Sequence, residues 1–233
     1  MKRAFCILLL LMVLTPSARG QAFAFSDQVL IYTIRHNLFP GDIGTMTFRG
    51  KSVQDRYQVD ASLQAAVGNI YTLECSYGTL FQKDAGLTPV SATRSQKEKK
   101  YWAKGIYDWS APGVVHMDVT KSTRVPRDET LNWHGTVRDL LGMIWWLRSR
   151  DYGRESLDVP NALLLDHDAL PVRVTFNRKE IRYGGKQTPV IEVTVAQDGK
   201  DALRLTLSDD AQRIPLKFSI GLPFGTIKGS LAR

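Results

Sequence analysis

The chain has 233 residues, 43% of them hydrophobic and 23% charged, with 18 glycines and 10 prolines. That length and balance exclude a wholly disordered chain and a collagen-like repeat, and leave ample sequence for a sizeable core. The formal net charge is +8, but Lys2, Arg3 and Arg19 fall in the first twenty residues, which hold no acid; without them 28 basic residues face 23 acidic ones, or +5. That correction removes most of the support for a nucleic-acid partner.

Residues 1–20 have a basic start, an apolar run from Ala4 to Leu14, and small or polar residues from Thr15 onward. This is the pattern of a signal peptide, with cleavage expected after Gly20 or Ala22. The run is far short of the roughly 20 residues that cross a bilayer as a helix, and no later run approaches that length, so no transmembrane span is expected in the mature chain. Residues 21–233 are expected to form a single β-rich domain. Cys6 leaves with the leader, so Cys75 stands alone and is read as a small buried hydrophobe rather than half of an intrachain disulfide.

Along the mature chain, short β-branched and aromatic runs approximate period two: VLIYTIRH, TMTFRG, RYQVDASLQAAV, IYTLECSYGTLF, GVVHMDVT, PVRVTFN, PVIEVTVAQ, ALRLTLSD, IPLKFSI and GTIKGSL. Turn residues separate them, with Asp198-Gly199 a strong hairpin signal. The polar stretch Ser91 to Lys104, with Tyr101 and Trp102 among its lysines, reads as a solvated strand edge able to meet an anionic lipid or polysaccharide. Thr136 to Arg150 is the exception to the β pattern. Thr136 is placed to cap a helix and Asp139 to complete a capping box. Val137, Leu140, Leu141, Met143, Ile144, Trp145 and Leu147 share one broad side of that helix, and Trp146 falls on the polar side as a candidate contact.

Chemistry-bearing motifs are sparse. Four histidines, His36, His116, His134 and His167, are dispersed over separate runs. His167 between Asp166 and Asp168 lacks the further convergent ligands a zinc site needs, so no metal and no cofactor is expected. His116 and Asp118 share one side of a strand, a pair too common to nominate alone. There is no GxSxG elbow, no P-loop and no GxGxxG, and no catalytic residue is nominated.

At the C-terminus, Leu207-Ser-Asp-Asp-Ala-Gln-Arg-Ile-Pro-Leu-Lys217 is followed by Phe224-Gly225-Thr226-Ile227-Lys228 and Leu231. With the central Asp139-Leu-Leu-Gly-Met-Ile-Trp-Trp-Leu-Arg148 and the opening Leu30-Ile-Tyr-Thr-Ile34, this pattern resembles the bacterial exported domain-of-unknown-function family numbered 3108. Leu207 departs from the tryptophan that often precedes the Ser-Asp-Asp turn there. The resemblance implies a curved antiparallel sheet or half-open β-barrel packed against one central helix, similar in style to periplasmic lipoprotein carriers, in the periplasm of a Gram-negative bacterium. No catalytic residues come with it. Ser208, Asp209, Asp210, Arg213, Pro215 and Gly225 are read as specifying the fold, the two aspartates by accepting turn amides.

Three functions follow as expectations. The first is a noncatalytic envelope protein holding a lipid or a lipoprotein acyl chain between sheet and helix, with Met143, Trp145, Trp146, Tyr101 and Trp102 as contact candidates. The second is an assembly factor whose exposed strand edge, lysine-rich stretch and Trp146 contact another envelope protein. The third is a hydrolase or lyase acting on envelope carbohydrate or peptide.

Overall fold

The computed structural model describes residues 26–68, 71–153, 157, 160–165, 168–222 and 225–232. The signal-peptide assignment therefore lies outside the described residues, as do Asp166, His167 and Phe224.

The first eight strands are β1 (Gln28–His36), β2 (Gly44–Val53), β3 (Arg56–Val67), β4 (Tyr71–Gln82), β5 (Pro89–Glu98), β6 (Tyr101–Ala111), β7 (Val114–Lys121) and β8 (Arg124–Asn132). They form an up-and-down meander in which each strand pairs antiparallel with the next. Then come β9 (Thr136–Arg138) and helix α1 (Leu140–Ser149). A second meander follows: β10 (Asn161–Leu165), β11 (Asp168–Tyr183), β12 (Lys186–Gln197), β13 (Lys200–Ser208), β14 (Pro215–Leu222) and β15 (Gly225–Leu231). Pairing of β1 with β15, from Tyr32 opposite Leu231 to His36 opposite Ile227, fuses the two meanders into one fifteen-stranded sheet. The fold is thus mainly β, a curved antiparallel sheet packed against one helix.

The sheet is not closed into a barrel. Its terminal strands are β8 and β9, and β9 pairs only with β10, in parallel. The two flanks are nonetheless stitched together at the β6–β7 turn: Val137 N–H donates to Pro112 O (2.9 Å) and the Trp109 indole to Val137 O (3.0 Å), while the bond from Trp133 N–H to Gly113 O (2.8 Å) extends the β7–β8 ladder beside them. Beneath this seam Val137, Ala162 and Leu164 pack on Tyr107, Val115, Met117 and Val119 as a small second core. Ser91 to Lys104 does not lie at the sheet edge as the sequence suggested. β5 and β6 are paired on both sides because β7 and β8 continue outward, and the exposed edge is β8, where Pro126 and a run of charges oppose pairing with another chain.

The helix is shorter than its periodicity implied. Thr136 to Arg138 pair with Asn161 to Leu163 as a strand, so Asp139 is the N-cap: its Oδ1 accepts the Gly142 N–H (2.9 Å) and its Oδ2 accepts the Thr79 hydroxyl (2.6 Å). Every residue from Leu141 to Arg148 is buried, the polar face included. Phe48, Tyr32 and Phe218 meet one another edge-on above Trp145, whose ring lies 5.6 Å from that of Phe48. Asp139→Ala is expected to cost about 1–2 kcal/mol through loss of the cap, and Trp145→Ala about 3–5 kcal/mol through the cavity it leaves. Urea denaturation of the two variants checks the order.

Candidate functional site

Because the strands alternate in direction, the sheet has two distinct ends. Gln28, Val53, Arg56, Gln82 and Pro89 lie toward one, and His36, Gly44, Val67, Tyr71 and Glu98 toward the other. Helix α1 occupies the first. Its cap bonds Thr79 near the end of β4, and Arg148 donates to Gln28 Oε1 (3.0 Å) and to the carbonyls of Arg213 (3.0 Å) and Gln212 (3.1 Å) in the β13–β14 turn. The same guanidinium lies 4.7 Å from the centroid of the Trp145 ring. Burial pushes Arg148 down to about 10 and Arg138 to about 9, so both remain cations at neutral pH. Their carbonyl acceptors are what make those buried charges tolerable.

The C-terminal motif builds this anchor. Asp210 Oδ1 accepts the N–H groups of Gln212 (2.9 Å) and Arg213 (3.0 Å) and the Ser208 hydroxyl, and Ser208 Oγ accepts the Ile214 N–H (2.8 Å). Asp209 takes a different part from its neighbour, pairing with Arg178 (3.0 Å) across to β11. Arg213, at φ 44°, turns the chain so that its carbonyl and that of Gln212 meet Arg148, while its own guanidinium lies 5.2 Å from the centroid of the Tyr152 ring. Pro215 starts β14, and its carbonyl accepts the Tyr32 hydroxyl (2.6 Å). Leu207, where the related pattern has tryptophan, is fully buried in the core.

At the other end the interior is open. An apolar cavity of about 250 Å³ is walled by Ile34, Leu63, Ala65, Leu73, Ile43 and Ile227, with Leu38, Phe39, His36, Tyr71 and Glu98 also lining it. That volume lies above the roughly 150 Å³ of a dry cavity that takes benzene and just below the roughly 300 Å³ where small-molecule pockets begin. Its polar groups are few. Burial, and then the Glu98 carboxylate to which it donates a hydrogen bond, push the Tyr71 phenol up to about 12. His36 Nδ1 accepts the Leu38 N–H (3.2 Å), holding the β1–β2 loop over the cavity. Gly225 is required beside it: at φ 135°, a Cβ there would lie 2.7 Å from His36 Cε1 and 2.5 Å from Asn37 Oδ1.

The residues singled out in the sequence divide between these regions. Met143 and Trp145 lie in the packed core against the sheet, and the interface between helix and sheet is filled. Trp146 is buried at 2% exposure, with the guanidinium groups of Arg138 and Arg150 at 5.0 and 5.3 Å from its ring centroid. Arg138 reaches on to the carbonyls of Leu87 (2.7 Å) and Gly86 (2.8 Å), and Arg150 to that of Ala85. The β4–β5 loop thereby covers the helix's polar side, which amphipathicity alone assigned to solvent. Tyr101 and Trp102 begin β6 at the cavity end, with Trp102 at 40% exposure. Sequence reasoning missed the cavity walls, although Ile34, Leu63, Ala65 and Leu73 all occupy inward positions of strands it had identified.

His116 lies on the exposed outer face of β7–β8, 3.4 Å from Asp128 rather than beside a cleft. Among the described residues no group of three or more His, Cys, Asp or Glu side chains is placed to hold a metal ion. None of the described helices is long and apolar enough to cross a membrane.

Residues 31–232 match the family of proteins of unknown function designated DUF3108. The chain belongs to that family. The search of the curated proteins found no match. Among solved structures, the crystal structure of a beta-barrel-like protein of the domain of unknown function DUF1849 from Brucella abortus is similar, at 11% identity and a TM-score of 0.61 over 91% of this chain and 98% of that one. At that identity the likeness is one of fold alone. The DUF3108 chain described here shares the curled sheet, and its cavity stands on its own residues.

Cys75 adjoins Leu73 on the inward face of β4. Burial pushes its thiol up to about 11, opposed by a hydrogen bond with Tyr77. A raised thiol pKa in the folded state means that this stabilisation is complete below the ordinary value of about 9 and is lost as pH rises from there through 11. Iodoacetamide at pH 8 is therefore expected to alkylate Cys75 at least about tenfold more slowly in native protein than in urea. Equal rates would place the thiol in solvent.

Proposed function

We propose that this protein is a noncatalytic binder of an apolar or amphipathic ligand, such as a lipid, that works outside the cytoplasm. The cavity walled by Ile34, Leu63, Ala65, Leu73 and Ile227 carries this reading. A folded protein gains by filling internal space with its own side chains, at about 25 cal/mol per Å² of apolar area removed from water. Here that space is bounded by apolar walls and reached beside a few polar groups, the composition usual for ligand pockets. An apolar tail fits the walls, and the Tyr71–Glu98 pair stands beside them at one margin of the lining. The signal-peptide pattern of residues 1–20 supports export, and the periplasm is the compartment in which a carrier of this kind meets lipid.

The ligand is proposed to sit away from the helix rather than between helix and sheet, because that interface is packed and the apolar cavity lies at the opposite end. Ala65→Phe is designed to fill that volume from β3. Titration with a fluorescent fatty acid is expected to show saturable binding to the parent protein and at least about tenfold weaker binding to Ala65→Phe, with overpacking costing about 1–3 kcal/mol of stability. Leu73→Ala, which enlarges the cavity, should retain binding. Undiminished binding to a folded Ala65→Phe protein would place the ligand elsewhere, and no binding to the parent would overturn the proposal.

A further inference from the structure

The cavity end of the sheet also carries an unusual surface. Lys97, Lys99, Lys100 and Lys104 are all exposed on the β5–β6 hairpin tip, against the single acid Glu98, which turns inward to the cavity. Exposed Arg124 stands on the neighbouring β7–β8 tip. The two tips are tied together: Trp102 N–H donates to Ser122 Oγ (3.1 Å), and Ser122 N–H to Trp102 O (2.9 Å). Trp102, opposite Lys97 in the β5–β6 register, keeps 40% of its surface exposed in the middle of these cations. Leu38, on the β1–β2 loop and itself part of the cavity lining, is 64% exposed. Elsewhere at this end Asp42 and Asp201 pair with Arg35 and Arg204, exposed Glu74 stands opposite Lys97 in the β4–β5 register, and exposed Asp198 lies on the β12–β13 turn.

Basic side chains around an amphipathic aromatic ring match the headgroup layer of a membrane, where tryptophan settles at the interface and lysines meet lipid phosphates. An exposed leucine at the lip of an apolar cavity adds a side chain suited to the acyl boundary just beneath. We propose that the β5–β6 and β7–β8 tips, with Trp102 and Leu38, form a docking surface for an anionic phospholipid membrane that sets the cavity mouth against the bilayer. This rests on the reading of the cavity as a lipid site, and names where the ligand is exchanged. Charge complementarity selects the occupant, since a neutral protein or neutral lipid surface gives the five cations no partner.

Co-sedimentation with vesicles tests the surface separately from the cavity. The parent protein is expected to bind vesicles of phosphatidylcholine with phosphatidylglycerol, to bind phosphatidylcholine alone weakly, and to be released by salt. With each cation near the surface contributing roughly fivefold, Lys99→Glu with Lys100→Glu should weaken vesicle binding by about 25-fold or more. Trp102→Ser should weaken it even in low salt. Both variants should bind the soluble fluorescent fatty acid as the parent does, because neither change touches the cavity wall. Vesicle binding unaffected by these changes, indifference to anionic lipid, or capture by soluble dextran sulfate without vesicle binding would each overturn the membrane-docking proposal. Loss of fatty-acid binding in the parent protein would instead count against the cavity reading alone.

Discussion

A curled sheet must fill its own interior, and among the described residues this one has a single short helix with which to do it. Ten residues of helix make a rod of about 15 Å, whereas a twelve-residue strand such as β3 extends about 40 Å. No placement of α1 lets it line the whole length of the strands. The helix is instead packed to completion at one end, where Trp145 meets Phe48 and every side chain from Leu141 to Arg148 is enclosed. What remains at the other end is an apolar cavity bounded by Ile34, Leu63, Leu73 and Ile227.

Holding the helix at one end requires two buried cations, which explains the polar sequence features around it. Arg148 and Arg138 each sit against an indole ring and each donate to main-chain carbonyls, Arg148 in the β13–β14 turn and Arg138 in the β4–β5 loop. Guanidinium suits this use, since its planar fork reaches two carbonyls while its face rests on an aromatic ring. The Ser208, Asp210 and Arg213 motif shapes one of those turns, so the C-terminal signature and the central helix form one unit although they are distant in sequence. At the open end the motif's last glycine, Gly225, has a different task, allowing β15 to pass close under His36 and Asn37.

Much of this was legible in the sequence because β alternation and turn chemistry are local. Period two placed VLIYTIRH, RYQVDASLQAAV and PVIEVTVAQ in strands, and Asp198-Gly199 closes the β12–β13 hairpin with both residues at positive φ. Three features depended on partners the local pattern does not contain. Thr136 to Arg138 became a strand because β10, more than twenty residues later, pairs with it. Trp146 became buried because the β4–β5 loop folds over the polar side of α1. The cavity is a matter of volume left over, and alternation reports which side a residue faces without saying whether anything faces it.

The division of the interior into a filled helix end and an apolar cavity at the opposite end is the central claim, and isotope-edited NMR tests it most directly. With methyl-labelled protein and an unlabelled fatty acid, nuclear Overhauser contacts from the acyl chain should fall on Ile34, Ile43, Leu63, Leu73 and Ile227, with none to Leu141, Ile144 or Leu147. Contacts to the helix methyls, or acyl contacts confined to exposed residues such as Val29, Ile31 and Val125, would contradict it.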